Sequence, residues 1–269
     1  MRAMRFPPCR VAFIFLLAAM PAIAFAASSV RLEDLTTTEV RDAIRAGKTT
    51  ILVPIGGTEQ NGPHMALGKH NRRVQMLSER IAHSLGNALV APVLAYVPEG
   101  GIEPPTAHMR FAGTITVPSE TFVRVLESAA RSFRLHGFRD IVFLGDHGGY
   151  QRELKSVAER LNRGWARDAA RAHALPEYYG VVETDYPQLL RARGFGNEEI
   201  GSHAGLADTA LMLALDPALV RSDPLASRNF DRADGVTGDP RRATPELGRL
   251  GVELIVAQTT DAIRKAARR

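Results

Sequence analysis

Three short stretches of this chain gather the residue types that polar chemistry requires. The first is Gly57-Thr58-Glu59-Gln60-Asn61-Gly62-Pro63-His64, continuing to Gly68-Lys69-His70-Asn71. The second is Gly145-Asp146-His147-Gly148-Gly149-Tyr150-Gln151, and the third is Gly201-Ser202-His203-Ala204-Gly205, shortly before Asp208. Glu59, His70 and His147 together make a two-histidine, one-carboxylate set, which leaves an open position on a zinc-like ion. Water on such an ion loses a proton near neutral pH and becomes a nucleophile, while the same ion polarises a carbonyl. A further histidine, His203, is then placed to protonate a departing amine. The combination suffices to hydrolyse a C–N bond.

The surrounding polar residues each carry two readings. Asp146 and Asp208 are either additional ligands or carboxylates that cap a helix and brace a loop. Tyr150 is either a substrate contact or a packing residue at a helix start. His108, a second candidate substrate contact, lies downstream of the loop Pro98-Glu99-Gly100-Gly101-Ile102-Glu103-Pro104-Pro105. That loop either lines the pocket or is a surface connection shaped by its glycines and prolines.

Such loops need strands to aim them. Thr50–Ile55 reads as a buried strand, Asn71–Leu85 as a helix stopped by Gly86, and Ala88–Val93 as a second strand. Gly113–Val117 alternates threonine with Ile115 and Val117 and reads as a third strand. Ser119–His136 has helical spacing, and Asp140–Leu144 is the clearest buried strand. A charged helix follows, then a strand over Tyr179–Val182, an apolar helix over Ala207–Leu215 and an amphipathic helix over Gly251–Arg268. This alternation predicts a single three-layer α/β domain with a largely parallel central sheet flanked by helices. In such a sheet ligands bind beyond the carboxyl ends of the strands, where the polar loops fall. The Gly-, Pro-, Arg- and Asp-rich stretch from Ser222 to Pro245 reads as a surface excursion, a lid or a partner-facing segment.

The N-terminus predicts the compartment. Arg2, Arg5 and Arg10 precede an apolar run from Val11 to Phe25, breached by Pro21 and closing on Ala24-Phe25-Ala26. This is the pattern of a secretory signal peptide over residues 1–26, leaving a domain over 27–269, periplasmic or secreted and with no stable membrane association after cleavage. The only cysteine, Cys9, lies in that leader. Thiolate ligands, disulfides and a cysteine nucleophile are thereby excluded from the mature chain. Lys and Arg number 34 against 29 Asp and Glu, so removing the three leader arginines leaves a surplus of only two. Without a basic stripe interleaved with aromatics, nucleic acid is not an expected partner; a small-molecule substrate is.

Taken together, the motifs resemble those of the creatininase family. Glu59-Gln60-Asn61-Gly62-Pro63-His64 is similar to its Glu-Gln-His-Gly-Pro-His motif, and Gly145-Asp146-His147-Gly148-Gly149 to its Asn-Gly-His-Gly-Gly turn. His203-Ala204-Gly205-Leu206-Ala207-Asp208-Thr209 resembles its His-x-Gly-x-x-Glu-Thr segment. His108-Met109-Arg110-Phe111-Ala112-Gly113-Thr114 resembles its His-x-x-Phe-Pro-Gly-Thr stretch. The resemblance implies an amidohydrolase that is commonly a homo-oligomer, often a hexamer, and uses zinc, manganese or iron. It also implies Glu59 and His147 as metal ligands and His203 as the proton-transfer residue.

The departures are informative. Asn61 stands where the family usually has a histidine ligand, and His70 where it has an aspartate bridging two metals. Gly149 stands where the creatinine-opening members carry another acidic ligand. His64 either replaces the lost histidine ligand or orients the ligands, since the family has it in addition to them. A neutral imidazole cannot bridge, and two close cations need negative charge between them. One divalent ion per protomer, zinc first, on Glu59, His70 and His147 is therefore the expectation. A second ion would require Asp146 or Asp208 as a ligand. The only tryptophan, Trp165, falls in a predicted helix away from the motif loops, so the aromatic sandwich used on creatinine has no counterpart here. The contrasting function is a non-catalytic metal or small-ligand binding protein on the same fold; a lactone hydrolase is a third.

Overall fold

The computed structural model describes residues 29–227 and 229–268. The leader over 1–26 lies outside the described residues. Helix α1 (Thr37–Arg45) opens with a capping box, Thr36 and Glu39 satisfying each other's backbone N–H groups. Strand β1 (Thr50–Ile55) follows, then α2 (Lys69–Leu85), β2 (Ala88–Val90), α3 (Ser119–Leu135) and β3 (Asp140–Gly145). The second half continues with α4 (Gln151–Gly164), β4 (Arg171–Ala174), α5 (Pro176–Glu183), α6 (Asp185–Arg191) and α7 (Asn197–Ile200). It ends with α8 (Leu206–Leu215), α9 (Ser222–Ser227) and α10 (Pro245–Ala267).

The four strands form one parallel sheet in the order β2-β1-β3-β4, with Thr50 to Ile55 in register with Asp140 to Gly145. Side chains alternate across it, as the two-residue period of a strand requires. Leu52, Val142 and Leu144 pack with Val74, Leu77 and Ile81 of α2, Leu211 of α8 and Ile255 of α10. Ile51, Val53, Ile55, Ile141 and Phe143 pack on the other face with Phe122 and Leu126 of α3 and Leu154 and Val157 of α4. The result is the expected three-layer α/β domain. Both faces of the two central strands are apolar because both are covered by helices.

Four local expectations change. Gly113–Val117 is not a strand, although its alternation has a use. Ile115 N–H donates to Thr58 O (3.0 Å) and Val117 N–H to Val97 O (3.2 Å), so it bonds singly to two different loops rather than to a ladder. Tyr179–Val182 is helical within α5, which Pro176 opens at its first turn; the strand is instead Arg171–Ala174 at the sheet edge. Its polar residues Arg171 and His173 hid it, because an edge strand is only half covered. The predicted strand Ala88–Val93 stops at Val90, with a single further bridge between Ile55 and Leu94. Helix α10 begins at Pro245, not Gly251, with Thr244 Oγ1 accepting from Leu247 N–H. Its glycines are there for packing: a Cβ on Gly248 would lie 1.8 Å from the Ala210 carbonyl oxygen of α8.

Part of the Ser222–Pro245 excursion is pinned rather than free. Val236 is buried, and Thr237 makes an antiparallel bridge with His203.

Candidate metal centre

The loops after β1 and β3, the loop before α8 and the segment after β2 converge at the carboxyl ends of the strands. Glu59 is fully buried at their centre. Its two oxygens face different surroundings. Oε1 accepts from His70 Nε2 (2.7 Å) and faces Lys69 Nζ and His203 Nδ1, each at 3.7 Å. Oε2 faces His108 Nε2 at 3.2 Å and His147 Nε2 at 3.4 Å.

The Oε2 side is a cluster of ligand-type atoms. Glu59, Glu99, His108 and His147 each offer one donor atom, all within 4.8 Å of one another. Glu59 Oε2 and both oxygens of Glu99 are buried and receive no hydrogen bond. Three orphaned carboxylate oxygens in one place are expensive in a folded chain, because a buried polar group without a partner keeps its full desolvation cost. A divalent cation satisfies them at once, and two imidazoles with two carboxylates form a donor set that zinc, manganese and iron accept. A proton on Glu99, directed toward Glu59, is the alternative. Accordingly burial, then the charge of Glu59 and a hydrogen bond with it, push the Glu99 carboxyl far above the usual range. Gly57 makes room for this group: a Cβ there would come 2.5 Å from Glu99 Oε1, and the backbone sits at φ +156°.

His147 is pushed down to about 3, first by burial, against the pull of Glu59. His108 is lowered as well, again chiefly by burial. Both imidazoles are therefore neutral near neutral pH, the form that binds a metal. Gly149 N–H donates to His147 Nδ1 (3.2 Å) and fixes the ring.

The Oε1 side is a closed ring of alternating charge. His70 Nδ1 meets Asp146 Oδ2 at 2.8 Å, Arg73 Nε donates to the same oxygen at 2.8 Å, and Arg73 Nη1 donates to Asp208 Oδ1 at 2.6 Å. Lys69 Nζ donates to Asp208 Oδ2 at 3.0 Å and points back at Glu59. Helix α2 supplies Lys69, His70 and Arg73 from its first two turns, and Lys69 and Arg73 share a face at i, i+4. Tyr178 Oη donates to Asp146 Oδ1 (2.8 Å), and Asp208 Oδ2 accepts from Ala204 N–H (2.9 Å). Burial opposes ionisation of the carboxylates here, but the cations win. His70 and then Lys69 hold Glu59 well below the usual range, Arg73 and His70 hold Asp146 down, and Lys69 and Arg73 hold Asp208 down.

His203 approaches from the loop before α8. Its Nε2 lies 2.9 Å from the Gln60 carbonyl oxygen, an acceptor only, so Nε2 carries the proton and Nδ1 keeps its lone pair. Gln60 Nε2, 3.1 Å from the same nitrogen, donates instead to Gly235 O at 2.9 Å. Burial, then Lys69, lowers His203 to about 4.

The sequence-derived set is thus divided. Glu59 and His147 meet in the ligand cluster, where Glu99 joins them and so does His108, expected as a substrate contact but with Nε2 3.2 Å from Glu59 Oε2. His70 does not join it, because both its nitrogens are taken by carboxylates. Asp146 and Asp208 belong to the ring with their charges matched. Asn61 is buried and ties its own loop together, Nδ2 donating to Glu59 O (2.9 Å) and Ala66 O (3.1 Å). His64 Nε2 meets Thr209 Oγ1 at 3.0 Å beneath the loop, with Phe230 on its ring edge. Tyr150 is fully buried, its hydroxyl on the carbonyls of Ile55 (2.9 Å) and Gly56 (2.6 Å), so it braces the end of β1 and is sealed from any substrate. Glu99, Lys69 and Arg73 have no assigned role in the sequence reading. For the two cations the available signal is their i, i+4 spacing on a helix that opens at the site. Glu99 has only its place in a Pro- and Gly-rich loop.

A creatinine amidohydrolase (creatininase) family model matches residues 33–263. The chain belongs to the creatininase family. It is 30% identical over 245 residues to a mycofactocin precursor peptide peptidase of Mycobacterium tuberculosis strain H37Rv, covering 81% of this chain and 85% of that protein. It is 28% identical to a creatinine amidohydrolase of Pseudomonas putida over 88% of this chain and 97% of the relative. A creatininase crystal structure superposes with a TM-score of 0.72 at 26% identity, covering 90% of this chain and all of that one. Solved creatininases similar to this chain include a mutant of Zn-Zn type and a manganese form. Membership in the family supports hydrolase activity.

Proposed function

We propose that this creatininase-family chain is a metal-dependent amidohydrolase that cleaves a C–N bond in a small linear or cyclic amide, with zinc as the first metal to test. The observation that carries the reading is the group of Glu59, Glu99, His108 and His147, with three buried carboxylate oxygens that have no hydrogen-bond donor. A divalent cation in that group supplies Lewis acidity toward a carbonyl and lowers the pKa of water. The chain's own residues do the rest. Glu59 and Glu99 place negative charge around the cation. His203, neutral and with the Nδ1 lone pair unprotonated, would accept on that nitrogen the proton that the attacking water loses and pass it to the nitrogen of the leaving amine as the C–N bond breaks. Gln60 O holds the opposite face of its ring, which fixes the tautomer and the direction of transfer. Trp165 is buried beyond the end of α4, in the core beneath α3 and α4, and provides no aromatic wall for a flat substrate. We further propose that the enzyme works outside the cytoplasm, released near Ala26, as a homo-oligomer.

Metal analysis of the purified protein, with and without His203→Ala, tests the reading. Creatinine and short peptides, the substrate types in the relatives' names, serve as probes. The expected result is retained metal with turnover reduced by about 100-fold or more, the usual contribution of a general acid–base. Undiminished hydrolysis in His203→Ala would remove its assigned role. Bound metal without turnover of any amide would favour the binding-protein reading.

A further inference from the structure

Glu59 has a different surrounding on each of its two oxygens. Oε2 belongs to the ligand group, while Oε1 is met by a buried imidazole at 2.7 Å and a buried ammonium at 3.7 Å. Lys69 is fully enclosed, its Nζ donating to Asp208 at 3.0 Å. A buried lysine needs opposite charge, and Asp208 alone would supply it. Lys69 also faces Glu59, the one carboxylate shared with the ligand group. The ring around it has three carboxylates, Glu59, Asp146 and Asp208, set against Lys69, Arg73 and His70. The negative charge on that side is already matched by cations that are part of the chain.

We propose that the Lys69 ammonium is a built-in cation that takes the electrostatic place of a second metal ion, and so limits the centre to one divalent cation on the Glu59, Glu99, His108 and His147 side. This rests on the metal-centre reading above. Two divalent ions flanking one carboxylate repel strongly in a low-dielectric interior unless further anions lie between them. With Lys69 in place, the Oε1 side has neither a spare anion nor a free oxygen. Lys69 is thus a positioning residue: it fixes the number of ions without binding any of them.

Zinc titration by calorimetry, checked by elemental analysis after dialysis, reads the stoichiometry directly on the full-length protein. The wild type is expected to take one zinc per protomer. Lys69→Arg, which keeps the charge, is expected to take one as well. Lys69→Met, which keeps the length and removes the charge, is expected to gain a second, weaker zinc. A folded Lys69→Met protein that still binds one zinc with unchanged affinity overturns the proposal. His70→Asp covers the case in which Lys69→Met does not fold. With Lys69 retained beside the new carboxylate, His70→Asp should still take one zinc; two would mean that His70, not Lys69, sets the number. A wild-type stoichiometry of two also overturns the role of Lys69, but leaves the metal-centre reading intact. A wild type that takes no zinc, manganese or iron retires both.

Discussion

The two sides of Glu59 are built from similar residues and behave oppositely. On one side, His70, Asp146, Arg73, Asp208 and Lys69 close a ring in which each charge faces an opposite one at short range. On the other, Glu99, His108 and His147 surround oxygens that no donor reaches. A satisfied polar network rigidifies a core and leaves nothing for a ligand; an unsatisfied one is stable only when something else completes it. Composition does not separate the two, since both are mixtures of histidines and carboxylates. What separates them is that α2 delivers two permanent cations to the first side and none to the second. The ring is therefore scaffold and the open group is the candidate site.

Breaking the ring should have the largest effect, and on stability. Arg73→Met leaves the buried Asp146 and the partly exposed Asp208 without the guanidinium that both accept from. Removing one partner of a buried ion pair typically costs about 3–5 kcal/mol. Urea denaturation of the metal-free protein should show a loss of that size. A loss below about 1 kcal/mol, the scale of an exposed pair, would mean that the ring is not a unit.

Breaking the open side should act on metal affinity instead. Glu99→Gln removes one of two anionic donors, so zinc affinity should fall by more than the roughly 10–100-fold typical of residues that only support ligands. Stability of the metal-free chain should stay level near neutral pH, since the raised Glu99 carboxyl is already neutral there and an amide of the same size can still donate toward Glu59. A stability loss comparable to that of Arg73→Met, with zinc affinity unchanged, would put Glu99 among the scaffold residues.

The same contrast has a pH signature. Glu99 is raised by burial, so a proton stays on it from the usual carboxylate range up to its elevated folded value. A group raised on folding stabilises fully below its unfolded pKa, and that stability fades as pH climbs through the folded value. The metal-free chain should therefore weaken with rising pH over that window. Zinc must displace the proton, so its affinity should strengthen over the same window, by at most about tenfold per pH unit for one proton. His147, pushed down to about 3 chiefly by burial, releases none there. The ring carboxylates have the opposite sign: their stabilisation holds above the ordinary carboxylate range and is lost only as pH falls through their depressed values. Calorimetric zinc titrations in buffers of different ionisation enthalpy measure the released proton directly. Glu99→Gln should lower the number released by one.

Much of this architecture was legible in the sequence, and the misses have physical causes. The two central strands were clear because both faces are buried, which makes them continuously apolar. Edge strand β4 was not, because half-covered strands carry polar residues such as Arg171 and His173. The loops holding Glu59, His147 and His203 were found from strand ends and glycines, as was the expectation that they converge. The partners of His70 could not be read, because its neighbours come from positions far apart in the chain and only the folded geometry shows that both nitrogens are occupied. Glu99 looked like loop material, yet Thr116 Oγ1 takes its N–H at 2.9 Å and holds it at the centre. The alternating threonines that suggested a strand were in fact braces.

The smallest expected effect tests a brace. Tyr150→Phe removes one hydroxyl from the carbonyls of Ile55 and Gly56 and from Asp146 N–H, at 3.2 Å. The phenol is fully buried, so water cannot replace it, and burial pushes its pKa well above the ordinary value; it is a donor at every working pH. A loss of about 1–3 kcal/mol follows from leaving those backbone groups with fewer partners. Gly56 leads directly into the loop that carries Glu59, but the ring anchors that loop independently through His70 and Lys69. Zinc stoichiometry in Tyr150→Phe should therefore remain that of the wild type while the denaturation midpoint drops. If zinc were lost along with that small stability change, the ring would not be holding Glu59 by itself, and the division between scaffold and site would have to be drawn through β1 instead of through Glu59.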